Sequence, residues 1–402
     1  MVTLRAHLRE LNMSEAKSSF RPGIDIVDQI IEDSWEYSDA NTQYLTHNVH
    51  RYSGKFIPQI AGRAIDLLTK PGDLVLDPFC GSGTTLLEAA IRGRHSIGYD
   101  LNPLAVLITQ VKITPVESSQ LQHLRETMRK VVASIGSNSD LPLFSDLAPV
   151  SELQGRGIGF GEWFTKWFQP HVLVDLRGLY SAIEALENLK LQRIALVAFS
   201  NILRKCSNAH SGYPNVMFDK RAPLKRSPLP AFLKSLNETI EAVSSIDGVL
   251  SNQVETRVEH GNSEKLKLSD SSIDAVVTHP PYIGSVPYAE YGALSLMWLG
   301  SDPKALDAVL TGGKRQSKDV VRNFENSYRR IIGECHRVLK HGHYAFFMVG
   351  NPTVKGELVD LREMTFKLAK EHSFKFIGET LRHGSNRRAN KMDVEFLLFF
   401  QK

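Results

Sequence analysis

Hydrophobic positions along this chain follow two alternating patterns. Short apolar runs punctuated by turn residues occur at Leu74-Val75-Leu76, Ile97-Gly98-Tyr99, Ile273 to Val277, Tyr344 to Val349, Phe374 to Ile377 and Val394 to Phe400, and they predict strands. Thr256 to His260 reads as a further strand. Apolar residues three and four apart predict helices over 59–69, from Leu86 onward, over 324–339 and over 357–371. Strands alternating with helices predict an α/β fold. From about 115 to 252 that alternation stops and the pattern is helical throughout, with segments over 120–133, 160–168, 176–189, 192–205 and 229–244. A stretch of this length is too long for a plain connection and is expected to form its own subdomain or a lid. The expected organisation is an N-terminal arm over 1–43, a first α/β part over 44–114, a helical insertion over 115–252, and a second α/β part over 253–402.

Candidate chemistry sits at two predicted strand ends. The first is Asp77-Pro78-Phe79-Cys80-Gly81-Ser82-Gly83-Thr84-Thr85, between a strand and a helix. Glycines there permit a sharp turn and let a ligand approach the backbone, though an ordinary tight turn reads the same way. The next strand ends at Asp100, followed by Leu101-Asn102-Pro103. A carboxylate at that position can accept hydrogen bonds from a ribose diol. The run departs from the dinucleotide pattern, because Asp77-Pro78 precede the glycines and no third glycine follows. The second stretch is Thr278-His279-Pro280-Pro281-Tyr282, at the end of the strand 273–278. Adjacent prolines cannot continue a ladder, and they hold the flanking groups rigidly.

Taken as a pair, these stretches resemble the first and second diagnostic motifs of S-adenosylmethionine-dependent DNA amino-methyltransferases, the cytosine-N4 and adenine-N6 family of restriction-modification type. The resemblance implies a Rossmann-like seven-stranded methyltransferase sheet carrying the large helical insertion. It implies cofactor contacts from Lys55, Phe56, Asp77, Pro78, Phe79, Gly81, Gly83, Thr84, Asp100, Asn102 and Asn262, and a catalytic loop of His279, Pro280, Pro281 and Tyr282. In such loops the polar residue and a proline carbonyl accept the hydrogens of an exocyclic amine. The aromatic stacks on the target base, which must first leave the duplex. Here the polar position is His279, where the family has Asp, Asn or Ser. Neutral imidazole can accept a hydrogen bond and imidazolium cannot, so transfer is expected to fall below about pH 6.5. Thr278-His279-Pro280-Pro281-Tyr282 is most similar to the Thr-Ser-Pro-Pro-Tyr of the cytosine-N4 enzymes, and this resemblance implies cytosine N4 over adenine N6.

Composition narrows the picture modestly. A hydrophobic content of 42% with 23% charged residues is that of an ordinary globular protein. The net charge of +4 is compatible with nucleic acid without demanding it. Three separated cysteines predict neither disulfides nor zinc, and no metal site is expected from His47 and His50, read as part of a solvated loop. The N-terminus lacks the apolar core of a signal peptide, so a cytoplasmic protein without membrane association is expected. Basic residues at Lys205, Lys220 to Arg226 and Arg382 to Arg388, with Tyr213 close to the first two, are candidate phosphate contacts or simply solvated surface. Double-stranded DNA is the expected partner, with a cognate restriction endonuclease as a further one. A tRNA guanine-N2-type methyltransferase and a catalytically silent nucleic-acid-binding homologue are the alternatives.

Overall fold

The computed structural model describes residues 26–32, 34–137, 160–212, 215–251, 253–284, 286–314, 316–383 and 394–402. Most of the N-terminal arm, Tyr213 and the basic residues Arg387 and Arg388 lie outside the described residues.

Nine strands form, in chain order β1 (Leu74–Asp77), β2 (His95–Asp100), β3 (Thr256–His260), β4 (Ile273–Thr278), β5 (Leu339–Gly350), β6 (Thr353–Val354), β7 (Glu357–Leu358), β8 (Lys375–His383) and β9 (Val394–Gln401), among the described residues. Seven of them make one sheet in the order β3-β2-β1-β4-β5-β9-β8. The first four pairings are parallel, and β9 runs antiparallel between β5 and β8. The expected α/β class and seven-stranded sheet are therefore both present.

Continuous apolar strands follow from a sheet covered on both faces, where neither side of a strand meets water. Val75, Ala275, Val277, Phe346 and Phe399 point to the face packed by the helix Pro58–Leu68, through Ile60, Ala64 and Ile65. Their strand neighbours Leu76, Val276, Phe347 and Leu398 point the other way, into a core shared with Tyr328 and Ile332 of the helix Val320–Val338. The insertion contributes the helices Ser118–Gly136, Phe160–Trp167, Pro170–Glu184, Leu189–Cys206 and Leu229–Ser244. These share one apolar core with Leu104, Leu107 and Ile108 of the helix Pro103–Ile113 and with Leu296 and Trp298 after the Pro-Pro loop. The insertion thus grows directly out of the α/β unit and packs back beside its chemistry.

Three local expectations are corrected. The helix expected over 357–371 begins only at Leu361, because residues 353–358 form the hairpin β6–β7. The strand expected to end at Ile377 continues to His383, which puts Arg382 in the sheet with 4% exposure rather than in a basic loop. His47 and His50 are buried rather than solvated. His47 Nε2 lies 2.8 Å from Glu88 Oε1, and His50 Nε2 lies 2.8 Å from Ser200 Oγ. These contacts tie the segment before the first motif to the helices Thr84–Ile91 and Leu189–Cys206. No described helix is long and apolar enough to cross a membrane.

Candidate active site

The chain leaves β1 toward β2 on one side of the sheet and returns through β4 on the other. Such a reversal opens a crevice at the carboxyl ends of the two central strands. Asp77 closes β1 and fastens the crevice floor. Its carboxylate accepts from Thr278 Oγ1 at 2.6 Å, from Thr85 Oγ1 at 2.6 Å and from the Phe79 backbone N–H at 3.0 Å. One buried side chain therefore joins β4, the glycine turn and the helix Thr84–Ile91, and burial pushes its carboxyl up to about 6 despite those donors.

Gly81 and Gly83 adopt the left-handed conformation, with φ of 51° and 77°. At Gly83 a Cβ would also lie 2.6 Å from Thr109 Cγ2, so the turn needs glycine there on two counts. Asp100 braces the same turn from β2, accepting from the backbone N–H groups of Gly81 at 2.9 Å and Asn102 at 2.7 Å. Burial pushes this carboxyl, too, up to about 6. Asn102 caps the helix Pro103–Ile113 through Leu104 N at 3.0 Å, and its amide donates to Tyr52 Oη at 3.3 Å. Asp100, Phe79, Gly81, Asn262 and Tyr52 line a cleft of about 980 Å³, part of it open to solvent. Pro78 and Asn102 line it as well, and its far wall holds His279, Pro281 and Tyr282. Lys55, Phe56, Asp77 and Thr84 border a smaller recess that also touches Gly81 and His279. Lys55 is held by the backbone carbonyls of His47 and His50, at 2.8 and 2.7 Å. Gly83 and Pro280 support the turn and the loop without lining either space.

At the loop, His279 Nε2 lies 2.8 Å from Tyr282 Oη, and Tyr282 Oη donates to Glu395 Oε1 at 2.5 Å. Phe56 packs on the imidazole with ring centres 5.5 Å apart. Burial holds His279 below its ordinary value, with Glu395 acting in the opposite sense. An imidazole in this setting is neutral near pH 7 and keeps a nitrogen lone pair. The site thus sets an open cleft with a carboxylate on one wall against a rigid loop with a hydrogen-bond acceptor on the other.

Comparison with known proteins decides what such a site belongs to. Residues 5–110 match the profile of the N6/N4 methyltransferase family, described as DNA methylase. The type II methyltransferase M.MvaI of Kocuria varians is 28% identical over 396 residues, covering 83% of this chain and 83% of that protein. M.MjaII of Methanocaldococcus jannaschii is 40% identical over 382 residues, covering 76% of this chain and 72% of its own length. The chain belongs to the type II DNA amino-methyltransferases. A shorter stretch is 40% identical over 68 residues to a tRNA (guanine(10)-N2)-dimethyltransferase of the same archaeon, covering 17% of this chain.

As a member of this family the methyltransferase is an enzyme rather than a silent binding homologue, and its methyl donor is S-adenosylmethionine. The residues present fit that cofactor. Asp100 keeps lone pairs for a ribose diol after its two backbone bonds, and Leu101 and Ile331 add apolar wall beside Phe79. Sequence reasoning passed over Tyr52 and Glu395, and read Arg382 only as part of a basic loop. Tyr52 stacks on Tyr288 at 6.3 Å in the wall of the methyltransferase cleft, and a lone tyrosine in the loop Arg51-Tyr52-Ser53-Gly54 carries no local signal of this. Glu395 did leave a signal, as a lone charge near the start of an otherwise apolar strand.

Proposed function

We propose that this methyltransferase transfers a methyl group to the N4 amine of cytosine at a specific site in double-stranded DNA, serving as the modification half of a restriction pair. The observation that carries the reading is the placement of His279, Pro281 and Tyr282 in the same cleft wall system as Asp100 and the glycine turn. Asp100 would hold the ribose, and Phe79, Leu101 and Asn262 would surround the adenine. Lys55, Phe56, Asp77 and Thr84 would shape the end of the cleft nearest His279. The cofactor supplies a methyl group on a positively charged sulfur. An exocyclic amine is a weak nucleophile, since its lone pair is delocalised into the ring. His279 and the Pro280 carbonyl would accept its two hydrogens, concentrating electron density on nitrogen and orienting it for in-line attack. The buried, neutral imidazole suits that task.

The path for DNA is supported by a second, solvent-open hollow between the insertion and the site, about 1400 Å³ with the open solvent counted. Tyr52 and Tyr288 line both spaces, and Arg51, Arg204, Lys205 and Lys225 face the second, with no carboxylate among its described lining residues. Burial, and after it the nearby Arg51 guanidinium, hold the Arg204 guanidinium below its ordinary value, and an anionic backbone would relieve the repulsion between the two. The insertion, in this reading, grips the strand that carries the target base.

The similarity to a tRNA enzyme keeps an RNA substrate as the second reading. Labelled methyl from tritiated cofactor, offered with unmethylated plasmid DNA and with bulk tRNA, separates the two. Label in DNA is expected, and label confined to tRNA would overturn the proposal.

A further inference from the structure

Four side chains from three strand ends form one chain of contacts behind the Pro-Pro loop. Arg382 on β8 and Glu395 on β9 are partners across the antiparallel ladder. Arg382 Nη1 lies 2.7 Å from Glu395 Oε2, with the two side chains only 5% and 12% exposed. Glu395 Oε1 receives the Tyr282 hydroxyl hydrogen, and Tyr282 Oη lies 2.8 Å from His279 Nε2. An ionised carboxylate paired with a guanidinium has no hydrogen to give, so the single phenolic hydrogen belongs to the bond with Glu395. The contact at His279 must then take its hydrogen from the imidazole. That assigns the proton to Nε2 and leaves the lone pair on Nδ1, to which the described residues make no hydrogen bond.

We propose that Glu395 and Tyr282 are positioning residues that hold His279 in its Nε2–H form, so that Nδ1 faces the reaction as the acceptor for the target amine. This rests on the reading of His279 as the amine acceptor. Arg382 keeps the carboxylate in place, and the edge-to-face packing of His279 on Tyr282, with ring centres 5.1 Å apart, fixes the ring plane. In the transfer step, nitrogen forms its bond to the methyl carbon while the carbon–sulfur bond breaks with its electron pair left on sulfur. The proton that nitrogen sheds passes to Nδ1. The imidazolium so formed still donates through Nε2 to Tyr282, and the Glu395 carboxylate beyond stabilises its charge until water removes the proton. The other form of neutral imidazole, protonated on Nδ1, would present a donor to the amine and oppose the reaction.

The test combines nitrogen NMR of histidine-labelled protein without cofactor and steady-state rates with DNA. The His279 signals are assigned by their loss in His279→Leu. In the unaltered enzyme, Nε2 is expected to resonate as a protonated nitrogen and Nδ1 as an unprotonated one. In Glu395→Gln the amide can donate to the phenol, whose hydrogen then turns toward His279. The protonation pattern should shift toward Nδ1, and kcat should fall about 10²-fold at unchanged KM for the cofactor. Tyr282→Phe leaves the Arg382–Glu395 pair intact and guards against a folding defect. It should give mixed forms and about a tenfold lower kcat. Should His279→Leu methylate at the normal rate, the acceptor reading fails and this proposal with it. Should His279→Leu be slow while Glu395→Gln keeps its rate or its protonation pattern, the acceptor reading stands and the positioning role is overturned.

Discussion

Asp100 and Asp77 end neighbouring strands, and burial pushes both up to about 6, yet they accept from different donors. Asp100 borders the main cleft, whereas Asp77 is buried in its floor and borders only the smaller recess beside it. A ribose diol donates hydrogen bonds, so it favours the ionised form of Asp100 and binds best above that value. Calorimetry should therefore show cofactor affinity steady from pH 8 to about 6.5 and weakening by up to about tenfold per pH unit below 6. Asp100→Asn should bind more weakly at pH 8 and lose most of this dependence. Equal affinity at pH 8 and pH 5 would count against the assignment. Asp77→Ala should instead act on stability. It strips an acceptor from two buried hydroxyls and one backbone N–H, a loss of about 2–4 kcal/mol in urea unfolding. At His279 the sequence-based expectation of a decline near pH 6.5 shifts, because burial lowers this group. With saturating cofactor, kcat should hold from pH 8 down past 6.5, and a decline centred at or above 6.5 would contradict a buried acceptor. The residue type at each of these positions was legible in the sequence. What each carboxylate accepts from was not, because Thr278 and Thr85 reach Asp77 from two different elements.

The strand–turn–helix around Gly81 and Gly83 and the Pro-Pro loop were readable because their causes are local: positive φ, missing N–H groups and an apolar run on each side. Gly83→Ala tests the turn directly. A left-handed residue with a Cβ 2.6 Å from Thr109 should lose about 1–2 kcal/mol from backbone strain, with a further loss from the clash, and cofactor affinity should fall as the turn shifts. An unchanged urea midpoint would show that the turn relaxes freely. The extension of β8 through Arg382 was not readable. Its basic residues suggest a surface loop, and only the pairing of Arg382 with Glu395 across the ladder removes that charge from solvent. His47 and His50 misled in the same way, since Glu88 and Ser200 lie 41 and 150 residues away.

For the molecule as a whole, the helical insertion shares its core with the helix after Asp100 and with the segment after the Pro-Pro loop, so it is anchored at both halves of the site. Periodicity alone suggested a separate subdomain, since it shows which residues are apolar and not which core they join. The basic cavity against Tyr52 and Tyr288 favours a part for this unit in binding DNA. Replacing Arg51, Lys205 and Lys225 together by Ala should weaken DNA binding and flatten the slope of log affinity against log salt by about 0.9 for each phosphate no longer neutralised. Cofactor affinity should not change, and an unaltered salt slope would place the DNA elsewhere. The central claim concerns the product. DNA from cells expressing this chain, digested to nucleosides and resolved by mass spectrometry, should contain N4-methylcytosine, and a His279→Leu strain should lack it. N6-methyladenine in its place would contradict the choice of base, and DNA without any methylated amine would contradict the account of the site.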